Sequence, residues 1–339
     1  MTQIRTEPRP CCALCGKRGS SLYAGLPDRL FGVSGLWNMK RCTASDCDLI
    51  WLDPAPVEDE LYKAYADYYT HPIVLNRKTI SPLRRFCHKT ERAYVQRRFG
   101  YPSVPSGFLS RFLGSLFFRW HSEGGCTFAR YRPKGRLLDL GCGAGAYLLE
   151  MQSLGWEVEG VDFDPAAVAA AKVHGLNVRS GCLEDQRYPS GSFDVIMMFH
   201  VVEHLPHPIE TLKEVLRVLK PGGELFLFTP NTKSLGHRLF GAHWRGLEPP
   251  RHLHLFSAAS LRRALLMAGF GDISIRPQIG NSLIYHSLLS CIGSSSVSPT
   301  TMARLSARFL ARSAAALQLC LLPVLPSVSD CLAVVATKS

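Results

Sequence analysis

Residues Arg136 to Pro165 read R-L-L-D-L-G-C-G-A-G-A-Y-L-L-E-M-Q-S-L-G-W-E-V-E-G-V-D-F-D-P. An apolar run ends in Asp139, three glycines follow at 141, 143 and 145, a helical stretch comes next, and a second apolar run ends in Asp162. Continuous apolar runs of this kind suit parallel strands buried on both faces, and the first strand-to-helix turn of such a sheet is where nucleotide-like ligands bind. Gly141, Gly143 and Gly145 suit that turn because a Cβ would block approach to the backbone and disfavour positive φ. Asp162 lies 23 residues beyond Asp139, the span of one strand-helix-strand unit. At the second strand's tip its carboxylate can accept both hydroxyls of a ribose.

A dinucleotide fingerprint is G-x-G-x-x-G, with a helix N-terminus facing the pyrophosphate. Here the order is Asp139-x-Gly141-x-Gly143-x-Gly145, with a carboxylate two residues before the first glycine. That charge repels a pyrophosphate and attracts an ammonium or sulfonium, which disfavours a nicotinamide enzyme. The stretch resembles motif I of the class I S-adenosylmethionine-dependent methyltransferases. The resemblance implies a seven-stranded, doubly wound, Rossmann-like α/β sheet over residues 131–339. It also implies that Asp139 and the glycine turn hold the methionine part of S-adenosylmethionine and that Asp162 holds its ribose.

Outward along the chain, Pro165 to His174 reads as a helix and Leu176 to Arg179 as the third strand. Gly181-Cys182-Leu183-Glu184-Asp185 stands where the resemblance places adenine, so Leu183 and Glu184 or Asp185 are the expected contacts. Ser192 to Phe199 is the fourth strand, followed by His200-Val-Val-Glu203-His204-Leu-Pro-His207-Pro208. This segment is similar to the one that faces the acceptor in small-molecule methyltransferases. It lacks the Asn or Asp before Pro-Pro-aromatic of target-base N-methyltransferases. His200 and His204 are the candidate general bases, and His200 also borders the cofactor.

Glu210 to Leu219 should be an amphipathic helix stopped by Lys220-Pro-Gly-Gly, with Glu224 to Thr229 as strand five. Ser257 reads as the N-cap of a helix ending at Gly269, Gly271 to Arg276 as strand six, Ala303 to Leu322 as a helix, and Cys331 to Thr337 as an antiparallel last strand. Glu203, Trp244, Arg251, His252 and His254 are expected acceptor-pocket residues. The alternative for the histidines is that they tie the loop to the sheet.

Two cysteine pairs precede this body: Cys12 with Cys15, and Cys42 with Cys47. Two short loops, each offering two thiolates, make a tetrahedral structural zinc site, with Cys11 an alternative to Cys12. Leu61 to Tyr69 suggests a helix whose aromatics pack on this module. The pattern resembles the zinc-ribbon-like module, here residues 1–70, ahead of the methyltransferase domain in bacterial enzymes of sugar and cell-envelope (polysaccharide) metabolism.

Between them, residues 71–130 form a basic linker or cap. Fourteen lysines and arginines lie between Arg77 and Arg136 against Glu91 and Glu123, so this segment carries the whole net charge of +12. Such a segment suits an anionic partner: a phosphate-bearing substrate, a membrane surface or, ranked lower, nucleic acid. Ser81 to Gly100 reads as a basic helix, Phe108 to Trp120 as an apolar cover over the sheet edge, and Gly293 to Thr301 as a connector.

The N-terminus has no apolar run, which predicts no signal peptide, and the 12 cysteines suit a reducing compartment. Together these readings predict a cytoplasmic methyltransferase, peripheral at most to the inner membrane face, that acts on an oxygen or carbon of a small-molecule, sugar or lipid-linked acceptor. An RNA methyltransferase with a zinc module and a non-catalytic envelope-binding module are the alternatives.

Overall fold

The computed structural model describes residues 4–66, 94–95, 98–102, 129–278, 281–292, 301–321 and 328–339. The expected cover helix at 108–120, the Ser-rich connector at 293–300 and most of the expected basic helix at 81–100 lie outside these residues. Among the described residues no helix is long and apolar enough to cross a membrane.

Five short strands come first: β1 (Thr6–Glu7), β2 (Gly19–Leu26), β3 (Trp37–Cys42), β4 (Ile50–Leu52) and β5 (Ala55–Pro56). Then follow β6 (Arg136–Leu140), α1 (Ala146–Ser153), β7 (Glu157–Asp162), α2 (Pro165–Val173), β8 (Val178–Ser180), β9 (Phe193–Phe199), α3 (Pro208–Val218) and β10 (Leu219–Pro230). The chain continues through α4 (Leu235–Phe240), β11 (His254–Leu255), α5 (Ala258–Ala268), β12 (Asp272–Gln278), α6 (Asn281–Ile292), α7 (Thr301–Leu321) and β13 (Cys331–Thr337).

The large sheet has seven strands in the order β12-β13-β10-β9-β6-β7-β8. β6 pairs in parallel with β7 and β9, and β7 with β8, so the winding reverses between β6 and β9. This is the doubly wound sheet expected, with its switch-point crevice at the carboxyl ends of β6 and β9. The last strand runs antiparallel to β10. Gly222 N–H donates to Lys338 O and Lys338 N–H to Gly223 O, while Asn231 N–H donates to Asp330 O. These bonds explain why β10 starts at Leu219 rather than at Glu224. The ladder carries through the Pro-Gly-Gly expected to be a turn. Strand three is also shifted, to Val178–Ser180.

The chain divides into two compact units. One comprises Tyr69–Phe199, Lys213–Leu227 and Val334–Ser339; the other comprises Met1–Tyr68, His200–Leu212 and Phe228–Ala333. In the first, Leu137, Leu138, Val195, Ile196, Met197 and Met198 are fully buried, as strands covered on both faces require. α2 is capped by Asp164, whose side chain accepts from Ala166 N–H, and it opens on Pro165.

In the second unit a four-stranded sheet runs β11-β4-β3-β2. Its outer strand comes from far along the chain: His254 pairs with Trp51 and Leu255 with Ile50. The core beside it joins Trp37, Met39, Ile50 and Leu52 to Trp244, Leu247, Leu253 and Leu255. The tyrosine-bearing helix is a 3-10 helix, Glu58–Tyr65. Leu61, Ala64 and Tyr65 pack on this core, and Tyr62 is 64% exposed. The helix thus serves the tryptophan core rather than the cysteines, because the apolar surface lies there. α5 has Ser257 as N-cap in a reciprocal bond pair with Ser260, and it ends on Gly269 at φ 101°.

Candidate active site

Gly141, Gly143 and Gly145, at the end of β6, have φ of 70°, 53° and 84°, the left-handed region that favours glycine. At Gly145 a Cβ would also meet Leu176 Cδ1 at 2.3 Å. Asp162 closes the same turn, with Oδ2 accepting from Gly143 N–H at 2.8 Å and Oδ1 from Asp164 N–H at 2.9 Å. Asp139 is 3% exposed, and burial together with the charge of Asp162 pushes its carboxyl up to about 8. Two buried acids at neighbouring strand tips fit a cationic ligand with hydroxyls. S-adenosylmethionine, with its ammonium, sulfonium and ribose, is such a ligand.

Leu183 is buried. Glu184 opens a one-turn 3-10 helix, Glu184–Gln186. Asp185 accepts from the Cys182 thiol at 2.9 Å and the Cys182 N–H at 3.3 Å, bonds that hold its carboxyl below the usual range. Asp185 therefore stabilises its own turn; it and Glu184 are both exposed.

The other unit brings together His200, Glu203, His204 and His252. His200 is a non-glycine residue at φ 55°, a conformation that persists only when its surroundings hold it. Its Nδ1 lies 3.0 Å from Oε1 of Glu203, which has no solvent exposure, and Glu203 Oε2 accepts from the Thr229 hydroxyl at 3.0 Å. A carboxylate only accepts, so Nδ1 of His200 carries the proton and Nε2 keeps the lone pair. Burial lowers the affinity of His200 for a proton, but the bond to Glu203 and its charge more than offset this and raise the pKa. For Glu203 burial acts upward, and His200 together with the nearby His204 and His252 brings the carboxyl down to about 2.

His204 Nδ1 lies 2.9 Å from the Tyr65 hydroxyl and 3.1 Å from Arg251 O, and burial lowers its pKa. His252 Nδ1 donates to Gly246 O at 2.7 Å and His254 Nδ1 to Leu205 O at 3.1 Å; burial takes both down to about 4. These bonds fasten the 246–254 loop. Arg251 has no solvent exposure; it pairs with both oxygens of Asp28 at 2.7 and 2.9 Å, with Glu248 at 3.0 Å, and donates to Ala64 O. Trp244 is buried and stacks on His237, ring centres 4.5 Å apart. Glu248, Asp28, Thr229 and Tyr65 are given no site role in the sequence reading. Only Glu248 left a signal there, three and four residues before Arg251 and His252.

The four thiols also converge. The Sγ atoms of Cys12, Cys15, Cys42 and Cys47 all lie within 4.8 Å of one another, with Cys12 to Cys47 at 3.5 Å and Cys15 to Cys42 at 3.3 Å. Sulfurs around a tetrahedral zinc sit about 3.8 Å apart, so the set fits the ion. Leu14 and Ala44 N–H groups point at Cys12 and Cys42 sulfurs, which would support thiolates. Cys11 is exposed and outside the cluster.

Residues 116–275 match the model of a methyltransferase domain. A ubiquinone biosynthesis O-methyltransferase of Xanthomonas oryzae pv. oryzae is 36% identical over 128 residues, 35% of this chain and 54% of the relative. One from Xanthomonas axonopodis pv. citri is 39% identical over 113 residues, 30% of this chain and 46% of the relative. The chain spans about half the length of these curated relatives. Among solved structures, an S-adenosylmethionine-dependent methyltransferase from Archaeoglobus fulgidus gives a TM-score of 0.44 at 20% identity, covering 72% of this chain and 97% of that one.

Proposed function

Because residues 116–275 match a methyltransferase domain, we propose that the chain is an S-adenosylmethionine-dependent enzyme that methylates a hydroxyl oxygen of a small-molecule acceptor. The observation that carries this reading is the pair of buried acids, Asp139 and Asp162, around the glycine turn. The similarity to ubiquinone biosynthesis O-methyltransferases favours oxygen over carbon. Bound S-adenosylmethionine supplies a methyl carbon made electrophilic by its sulfonium. Asp139 and the Gly141 to Gly145 turn would bind the amino-acid part, Asp162 the ribose hydroxyls, and Leu183 and Glu184 the adenine.

His200 is the base we assign. It follows the last residue of β9 by one peptide bond, its side chain is half exposed, and the bond to Glu203 leaves Nε2 able to take the acceptor's proton. His204, partly buried and bonded at Nδ1, is the second candidate. The four cysteines would hold a structural zinc. A lipid-linked sugar is the second acceptor class, supported by the basic segment 77–136.

Calorimetric titration of the zinc-loaded protein with S-adenosylmethionine and S-adenosylhomocysteine tests the reading. Micromolar binding that is lost in Asp162→Ala supports it. No binding by the folded wild type overturns it.

A further inference from the structure

Glu203, His204 and His252 each present a ligand atom within 4.8 Å of the other two. Around a divalent ion bound by imidazole nitrogen and carboxylate oxygen at about 2.0–2.2 Å, neighbouring ligand atoms sit roughly 3–3.5 Å apart.

The surroundings are arranged as ligating histidines need. His204 and His252 each face a main-chain carbonyl with Nδ1, Arg251 O at 3.1 Å and Gly246 O at 2.7 Å. A carbonyl only accepts, so both rings carry their proton on Nδ1 and keep the Nε2 lone pair. This is the outer hydrogen bond that fixes ring orientation and tautomer in metal-bound histidines. The rings are edge to face, centres 4.6 Å apart, as two ligands turned toward one point would be.

A second observation points to a cation. His252 Nε2 lies 3.5 Å from Oε2 of Glu248, so with Nδ1 as the protonated nitrogen a lone pair faces a carboxylate. Three buried acids, Glu203, Glu248 and Asp28, stand in this cluster with two guanidiniums, Arg245 and Arg251.

We propose that Glu203, His204 and His252 form a binding site for a divalent first-row transition ion, separate from the four-thiolate cluster. Two imidazoles and one carboxylate select such an ion over magnesium or calcium, which prefer all-oxygen sites. The site would tie the 200–207 loop to the 246–254 loop within one unit, whether or not the proposed methyl transfer holds.

Cobalt distinguishes the two metal sites in one spectrum, because thiolate-bound cobalt shows intense near-ultraviolet charge-transfer absorption and a nitrogen-oxygen site shows only weak visible bands. The zinc-loaded full-length protein is titrated with Co2+ and its metal content measured after desalting. One further equivalent with visible bands and no new thiolate absorption is expected. It should weaken at least 10-fold in Glu203→Gln, which keeps the volume, an oxygen to accept from His200 and, with the Thr229 hydroxyl turned to accept, a bond to Thr229, and in His252→Gln. No cobalt beyond the thiolate site, or binding unchanged in both variants, overturns the proposal. If a variant folds poorly by circular dichroism, the wild-type spectrum and stoichiometry decide.

Discussion

Nδ1 of His200 lies 3.0 Å from Oε1 of Glu203, which joins a half-exposed imidazole in a left-handed backbone conformation to a carboxylate with no solvent exposure. The buried acid sets which ring nitrogen carries the proton and raises the ring's affinity for a second one. Removing its charge while keeping its shape separates these two effects. With Glu203→Gln the pKa of His200 falls, so the acid limb of the kcat/KM profile should move to lower pH while activity on the plateau drops. His200→Ala should cost about 100-fold to 10,000-fold in kcat with cofactor affinity unchanged. Equal kcat/KM profiles for Glu203→Gln and wild type would show that Glu203 acts only in the fold.

Asp139 should lose a proton when its cationic ligand arrives. Its carboxyl stands near 8 without ligand, through burial and Asp162, and a bound ammonium or sulfonium lowers it. Proton release near pH 7 is therefore expected, with affinity increasing as pH rises toward 8. Calorimetry in two buffers of different ionisation enthalpy measures the proton count. Asp139→Asn should bind about 10-fold to 100-fold more weakly and release none.

His252 and His254 are buried neutral, with burial bringing both from 6.5 to about 4. The unfolded chain therefore binds more protons than the folded one between these values. Their stabilisation is fully present above pH 6.5 and is lost as pH falls toward 4, by roughly 3 kcal/mol per residue. Glu203 and Glu248, depressed to about 2 from 4.5, extend the loss below pH 4.5. Thermal melts at pH 7.5, 5.5 and 4 should show a falling Tm, and His254→Asn should flatten the slope between the first two.

Arg251 holds Asp28 and Glu248 with no exposure to water. Removing it strands two buried carboxylates, which costs about 3–5 kcal/mol. Arg251→Met should lower Tm sharply, and Asp28→Ala should do nearly the same. A normal Tm with a raised acceptor KM would instead mark Arg251 as a substrate contact.

Loss of the proposed zinc should be felt far along the chain. Cys15→Ser, or a chelator, releases the loops that hold β3 and β4, and β4 carries His254–Leu255 as its partner strand. Faster hydrogen exchange at residues 253–256 is the expected readout.

Local patterns carried most of what was legible in the sequence. The Asp139 to Asp162 unit, the Ser257 cap and the last strand stand within a residue or so of where periodicity and turn chemistry placed them. The thiol cluster was equally readable, because spacing alone restricts what two short cysteine loops can do. What stayed hidden depends on pairs far apart in the chain. Arg251 with Asp28, Glu203 with Thr229, and Tyr65 with His204 have no periodicity to betray them. The Pro-Gly-Gly after Lys220 misled for the same reason. Its turn chemistry is overridden by a ladder to Lys338.

Two residues, His254 and Leu255, complete the edge of a sheet that otherwise belongs to the first 52 residues. The amino-terminal segment is therefore poorly suited to being swapped, trimmed or grafted. A fragment ending near residue 70 would display the bare side of β4, with Ile50 and Trp51 uncovered, and invite strand addition by other copies. The remaining chain would keep Trp244 and Leu255 without their packing partners. Inheritance of the two parts as one indivisible block follows from that shared strand.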